Sequence, residues 1–399
     1  MSITKIISAI GNNNSIAPLI VRDCGLEGPT KIAMAYNQNK SDKYIAKNAV
    51  RERIIDEYGT SLIWLGGIPF VEYIANKLIQ KRGFNPKVNL KLFKEDDVQG
   101  INKNIEKFKD IAPDAVKDLI KVRDNKGIYE KLLSSKFLSA IAIPVALMGF
   151  ILPKLNFALT KKLMNNKKPT NSKANKPSFT GNMASTIANF STVEKMAMTD
   201  GGLTVGRITT SRKKNEAIDN AFKMGGMLYL NFIAPKQISK VLDNTMNKTF
   251  NINVNLDPLM LNDKEFIAQI KENKFELPKS NLAKDIVEFI DNNPKSLFVK
   301  FAAKFNKIKM LNENVRDPRC YVDTKKLAQF KKEIEKYSEK ALTSNNIQQF
   351  AKRAKLAKSV NIISNVLISS TLLAVVLPKL QYKFRKLVTG SDLEPGLIK

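Results

Sequence analysis

The chain has 399 residues, of which 66 are lysine or arginine and 37 are acidic, so its formal net charge is +29 at pH 7. It contains no histidine, which excludes Ser-His-Asp and Cys-His catalysis, histidine metal sites and histidine pH switches. Two cysteines, Cys24 and Cys320, are too few for a metal cluster, and a reducing compartment or a membrane is the simplest setting for them.

The positive charge comes mostly from lysine, since the sequence has 11 arginines against 55 lysines. Arginine is the residue that reads guanine and grips phosphate with two hydrogen bonds. Its scarcity favours a compositional bias, or contact with anionic lipid head groups, over a nucleic-acid site. We therefore rank a soluble or peripheral lysine-rich protein that binds nucleic acid third among the possible functions.

Residues 1–22 form an N-terminal segment without the compact apolar region and small-residue cleavage site of a secretory signal, and we read it as mature sequence. Two uncharged runs further on, residues 59–71 and 224–235, are only 12 or 13 residues long, and each contains a glycine pair. Runs of this length mark core, interfacial or re-entrant helices as well as full spans. The sequence leaves these possibilities open.

Two longer apolar segments are the strongest signal in the chain. Phe137 to Pro153 and Ser359 to Pro378 carry no charge over 17 and 20 residues. A helix rises about 1.5 Å per residue, so roughly 20 apolar residues cross a hydrocarbon core. Both segments predict membrane-spanning helices; the alternative is a pair of buried core helices in a soluble protein.

Comparison of the sequence with itself predicts an internal tandem duplication. Residues 84–90 (FNPKVNL) and 250–256 (FNINVNL) share five of seven positions. The other landmarks recur in the same order: an Asp-x-Gly-Leu motif at residues 23 and 200, an Ile-Asp pair at 55 and 218, a glycine-pair helix, and Leu-Pro-Lys-Leu at 152 and 377. We therefore expect an all-α membrane protein of two diverged units, each with one short Gly-Gly apolar helix and one long apolar helix.

This interpretation divides the chain into five parts. Unit 1 covers residues 23–163, a polar linker covers 164–199, unit 2 covers 200–388 with a helical insert at about 260–350, and a C-terminal tail covers 389–399. Apolar residues at helical spacing predict amphipathic helices in 101–133, broken near Pro113, and in the insert at 281–290 and 327–337.

One amphipathic stretch carries the candidate site of the sequence. Residues 294–310 place Phe298, Phe301 and Phe305 on one helical face and lysines on the other. That pattern is typical of a helix lying on an anionic bilayer, with the aromatic rings and Lys300, Lys304 and Lys307 as membrane-surface contacts. The alternative is an ordinary surface helix that packs its aromatic face on its own domain.

Other candidate chemistry is weak. Asp200 to Arg207 is glycine-rich but lacks phosphate-loop and dinucleotide-loop spacing, so we expect a structural turn there and at Asp23. The acidic pairs Asp56-Glu57 and Asp96-Asp97 sit among lysines and predict solvated helical surface. Glu72, at the end of an apolar run, is expected at a helix end in water.

No motif points to catalysis, a cofactor or a metal, so the sequence predicts a non-enzymatic integral membrane protein, a scaffold or assembly factor, in a bacterial cytoplasmic membrane. Its partners would be the bilayer, anionic head groups and unidentified proteins. The second alternative is a small transporter or channel framed by the two units, for which Asn361, Ser364, Asn365 and Ser369 are the candidates to face inward.

Overall fold

The computed structural model describes residues 2–11, 16–94, 98–163, 192–252 and 255–390. It is all-α, with 79% of the chain helical and almost no strand, as the sequence predicts. The helices of the first half are α1 (Ile3–Gly11), α2 (17–39), α3 (Lys43–Lys81), α4 (Ile101–Phe108), α5 (Pro113–Asp124) and α6 (Lys126–Leu163), with a 3₁₀ turn at Leu90–Phe93. The second half contains α7 (Thr192–Thr209), α8 (214–250), α9 (Pro258–Leu261), α10 (Lys264–Lys271), α11 (Ala283–Asn292), α12 (Leu297–Lys304), a hairpin of β1 (Met310–Asn312) and β2 (Val315–Arg316), α13 (Thr324–Leu342) and α14 (Ile347–Thr389).

Three of these helices, α3, α6 and α14, are long and apolar enough to cross a membrane. The predicted long segments lie in α6 and α14, and the short run 59–71 lies inside the continuous helix α3. The other short run, 224–235, lies in α8, which is not one of the three. Most of each apolar stretch is not buried by protein, since 17% of the α3 window and 33% of the other two windows lie inside the fold.

Six of the described helices form the bundle (α2, α3, α6, α7, α8 and α14), and proline shapes five of these six long helices. Each of the five contains a π-helical segment, and a proline is the second residue after it; the segments are Val21–Glu27, Ile63–Gly67, Ala146–Ile151, Tyr229–Ile233 and Leu372–Val376. Proline has no N–H to donate, and its ring crowds the carbonyl group one turn earlier. Widening the preceding turn by one residue relieves that crowding. The sixth long helix, α7, has neither a proline nor a π-helical segment.

Residues 82–94, 98–125, 251–252 and 255–346 pack together at one end of the bundle into a part that we call the cap. Each half of the chain contributes a hydrophobic core to it, the larger one built around Phe266, Phe298 and Tyr337. Gln99 joins the two sequences because its side chain donates to the Val322 carbonyl (3.0 Å) and accepts from the Val322 N–H (2.8 Å). The helix breaks before Pro113, as predicted.

Residues 192–199 of the polar linker predicted at 164–199 belong to α7, which begins at Thr192. The rest of that linker, Asp96-Asp97, and most of the C-terminal tail lie outside the described residues.

Candidate functional site: a buried cavity and an ion-pair network

A cavity of about 260 Å³ lies between α1, α2, α7, α8 and α14. We call it the Arg22 cavity. Its polar lining residues are Arg22, Glu194, Asn231, Lys236, Lys358, Asn361, Asn365 and Ser369. Its apolar lining includes Leu19, Phe232, Ile362 and Val366. The wall therefore mixes hydrocarbon with a few convergent polar groups, which is the usual composition of a small-molecule site.

Helix α14 supplies three of these polar groups at a spacing of four residues. Asn361, Asn365 and Ser369 follow one another on a single face, and that face points into the cavity. These are three of the four side chains that the transporter alternative expected to face inward. The fourth, Ser364, is partly buried and is not among the lining residues.

Asn361 also ties α14 to α8. Its Nδ2 donates to Oδ1 of Asp243 at 2.5 Å, and Nζ of Lys358 lies 3.6 Å from the same oxygen. Asp243 thus offsets part of the Lys358 charge at the wall. This contact fixes the position of α14 where it borders the cavity.

Arg22 lies in the π-helical segment of α2 and is only 6% exposed. Its Nε donates to Oδ1 of Asp23 at 2.9 Å, whereas its Nη2 is buried and has no hydrogen-bond partner among the described residues. Two other lining residues, Asn231 and Asn365, likewise have buried side-chain oxygens without a partner among the described residues. Leaving such groups unsatisfied is costly, so they mark a place where a ligand would complete the bonding.

A second polar region closes the other end of the bundle, and all six long helices contribute to it or pack against it. We call it the ion-pair network, and its charged members are Glu27, Lys31, Glu52, Arg53, Asp56, Glu57, Arg207, Arg212, Glu216, Asp219, Lys223 and Arg385. A cavity of about 70 Å³ lies among some of them.

The pairs of this network cross between helices. Asp56 of α3 binds Arg207 of α7 and lies 3.5 Å from Nζ of Lys223 on α8. Glu57, next in α3, accepts from Lys31 of α2 at 3.2 Å. Charge-assisted bonds of this kind hold neighbouring helices in fixed register. The network therefore links the helices of the bundle at one end.

The two polar regions are far apart on α14 but close together on α2, where Arg22 and Glu27 are about 7.5 Å apart along the axis. On α14, Ser369 borders the Arg22 cavity and Gln381 belongs to the network, so at 1.5 Å per residue they lie about 18 Å apart along the axis. The cavity is therefore on the cap side of the network.

The structure corrects the expectation for the acidic pair Asp56-Glu57. Both side chains are largely buried rather than solvated, because basic partners reach them from α2, α7 and α8. Those partners are as much as 167 residues away in the chain, so no local sequence signal identifies them. Groups of three or more His, Cys, Asp or Glu side chains that could hold a metal ion do not occur in the described ranges.

The glycine-rich motif is not a turn. Asp23 lies in a π-helical segment, and residues 200–206 lie inside the α-helix α7. The glycines let α7 approach α6 closely: a Cβ on Gly206 would meet Cα of Gly149 at 2.7 Å, and one on Gly202 would meet the Val145 side chain at 2.6 Å. Small residues therefore serve packing at this position.

Glu72 is also placed differently from the expectation. It lies well inside α3 rather than at a helix end, and it is paired with Lys195 of α7. A largely buried carboxylate in an apolar stretch needs such a partner.

The predicted membrane-surface site is part of the cap. The helix covers only Leu297–Lys304 instead of residues 294–310, since the chain turns through Asn306 with φ 56° towards β1. Phe298 is 0% exposed and Phe301 is 3% exposed in the larger cap core, and the ring of Phe305 packs against that core. The aromatic face is therefore occupied by its own domain, which is the alternative considered for it.

The three lysines of that site are arranged around the same core. Lys300 and Lys304 are exposed, and Nζ of Lys304 lies 5.8 Å from the centre of the Phe301 ring. Lys307 is partly buried, with its Nζ 4.8 Å from the centre of the Phe330 ring. The exposed lysines, Lys300 and Lys304, therefore do not share one exposed surface with the aromatic rings, which lie in the cap core.

Comparison with known proteins adds no functional information. The chain matches no family model, no curated protein and no solved structure.

Proposed function

We propose that the chain is an integral membrane protein, in a bacterial cytoplasmic membrane, in which α3, α6 and α14 cross the bilayer. Support comes from large apolar side chains that point outward along these helices, among them Leu62, Phe70, Leu138, Leu155 and Leu367. A monomer in water would expose this surface at a high cost, whereas lipid tails would cover it. Release of the chain from membranes by alkaline carbonate would contradict this proposal.

We further propose the tandem duplication. Two contacts of the same kind support it: Leu152, which begins the first Leu-Pro-Lys-Leu motif, packs on Gly59 of α3, and Leu377, which begins the second, packs on Gly226 of α8. Helices α3 and α8 both begin at the ion-pair network, while α6 and α14 both end there. Copies related in this way run parallel, with an axis along the bundle.

The function that the geometry supports best is binding and translocation of a small polar solute through the bundle. The observation that carries it is the Arg22 cavity, which lies between α1, α2, α7, α8 and α14 and is lined by inward-facing polar groups of α14. A cavity closed on one side by an ion-pair network is the arrangement expected of one state of an alternating-access protein. The scaffold function predicted by the sequence would not require such a cavity.

The test is osmotic swelling of proteoliposomes that contain the purified chain, measured by stopped-flow light scattering with a panel of small polar solutes. We expect at least one solute to enter faster than it enters empty liposomes. Ser369→Trp, which fills the cavity, should abolish the difference, whereas Leu367→Trp, on the outward face of the same helix, should preserve it. Equal swelling of protein-containing and empty liposomes for all solutes would favour the scaffold function.

A further inference from the structure

We propose that the Arg22 cavity binds a small organic carboxylate that also carries a hydrogen-bond donor such as a hydroxyl group. This inference rests on the proposed function, because it names the class of solute that the cavity would take. It is argued from the charge, the unpaired groups and the size of the cavity.

The charge of the wall favours an anion. Three basic side chains, Arg22, Lys236 and Lys358, line the cavity against one acidic side chain, Glu194. Asp23, which binds Nε of Arg22, is not among the lining residues. The guanidinium of Arg22 therefore binds the Asp23 carboxylate through Nε, and its Nη2 can donate to a second acceptor. An arginine with one satisfied edge binds a carboxylate oxygen well, since charge-assisted N–H···O bonds are roughly twice as strong as neutral ones.

A cation fits this wall poorly. It would lie beside the unpaired Nη2 of Arg22, and in the low dielectric of a helix bundle that repulsion is large. Two largely buried carboxylates near Arg22, those of Asp23 and Asp200, are not among the lining residues. Asp243 is already engaged by Lys358 and Asn361.

The unpaired acceptors would bind the hydrogen-bond donor of the ligand. Side-chain oxygens of Asn231 and Asn365 are buried without partners among the described residues, and they can accept from a hydroxyl group. Phe232 and Ile362 provide apolar surface for a short carbon chain. A cavity of about 260 Å³ is large enough for a small hydroxy acid.

The experiment is isothermal titration of the detergent-solubilised full-length chain with lactate and with malate. Lactamide, in which a neutral amide replaces the carboxylate, and chloride are the controls for charge. We expect saturable binding of at least one hydroxy acid and at least about tenfold weaker binding of lactamide, because a lost charge-assisted bond removes about 1.4 kcal/mol or more.

Two variants locate the binding. Asn365→Asp places a negative charge in the cavity without touching Arg22, and it should weaken hydroxy-acid binding about tenfold or more. Arg353→Gln removes an exposed arginine of the same helix, outside the cavity lining, and should leave the affinity unchanged. Thermal unfolding of both variants establishes that each is folded.

The outcomes separate this inference from the proposed function. Absence of hydroxy-acid binding, equal binding of lactamide, or an Asn365→Asp variant with unchanged affinity overturns the carboxylate site, even if swelling experiments show passage of another solute. Binding that responds to Asn365→Asp, in a chain that carries no solute across liposomes, supports the site and overturns translocation.

Discussion

The guanidinium of Arg385 and the carboxylate of Asp219 form a buried pair between α14 and α8, with Nη2 at 2.7 Å from Oδ2. Their side chains are 0% and 5% exposed, and Gln381 donates to the same carboxylate oxygen at 2.8 Å. Phe384 precedes Arg385 in α14 and Phe222 lies one turn after Asp219 in α8, and their rings stack with centres 4.5 Å apart. The end of α14 is therefore fixed to α8 by both a charge pair and an aromatic contact.

Removing one member of this pair should be strongly destabilising. Arg385→Ala leaves the Asp219 carboxylate buried without its cation, which costs about 3–5 kcal/mol. We expect a clear fall in the midpoint of thermal unfolding in detergent. The double variant Asp219→Asn with Arg385→Gln should recover part of the loss, because no uncompensated charge remains.

The matched control is Lys284→Ala, which breaks the exposed pair with Glu288 in the cap. Exposed pairs contribute only about 0–1 kcal/mol, so its unfolding midpoint should stay close to that of the parent chain. Equal shifts for Arg385→Ala and Lys284→Ala would show that Arg385 is not buried against Asp219.

Two glycines of α7 should respond oppositely to alanine. Gly206→Ala forces a Cβ to within 2.7 Å of the Gly149 backbone, and overpacking of this kind costs about 1–3 kcal/mol. A Cβ on Gly201 meets nothing within 4 Å, so Gly201→Ala should be neutral or should stabilise the helix by up to about 1 kcal/mol. Thermal unfolding of the two variants side by side measures the difference. A more stable Gly206→Ala variant would contradict the close crossing of α6 and α7.

Phe298 should behave as a core residue rather than as a membrane contact. Phe298→Ala removes a fully buried ring from the cap and should cost about 3–5 kcal/mol. Ile111→Ala, at an exposed position of the cap, is the control and should cost little. Limited proteolysis of the cap reports both effects. If Phe298→Ala kept the parent's protease resistance but bound anionic vesicles less well, the surface-helix hypothesis would stand instead.

The thiol of Cys320 should be slow to react at neutral pH. Burial, with Asp317 nearby, raises the pKa of this thiol to about 11. A pKa two units above the ordinary value lowers the thiolate fraction ~100-fold at pH 7.5, and only the thiolate attacks iodoacetamide. In a Cys24→Ser variant, the labelling rate should rise about tenfold per pH unit up to the pKa.

The control for this labelling is the same variant in denaturant, where Cys320 should react at the rate of a free cysteine. Folded protein that labels equally fast at pH 7.5 would mean that the thiol is exposed and its pKa is not raised. Burial also limits access of the reagent, so the pH profile, rather than the absolute rate, is the measurement that reports the pKa.

The long apolar helices were predictable because the signal is local. Segments of 17 and 20 uncharged residues stand out within the sequence whatever the rest of the chain does. The inward face of α14 was predictable for the same reason, since Asn361, Asn365 and Ser369 repeat every four residues in an apolar stretch.

The ion-pair network was not predictable from local sequence. Asp56 and Glu57 look like surface charges beside lysines, and only the approach of α7 and α8 buries them. The burial of Phe298 and Phe301 in the cap was not predictable for a related reason. An amphipathic pattern shows that one face is apolar, but it does not show whether lipid or protein covers that face.

The pairing of a π-helical segment with a following proline has a consequence for how this chain tolerates changes of length. In an ordinary helix, loss of one residue rotates everything beyond it by about 100° and misaligns every contact on one side. A π-helical turn already holds one extra residue, so a deletion within it can be absorbed by local rewinding. Five long helices possess such a turn within the described part of the chain. A single-residue deletion within one of these turns should leave the protein folded, whereas a deletion elsewhere in the bundle should prevent folding.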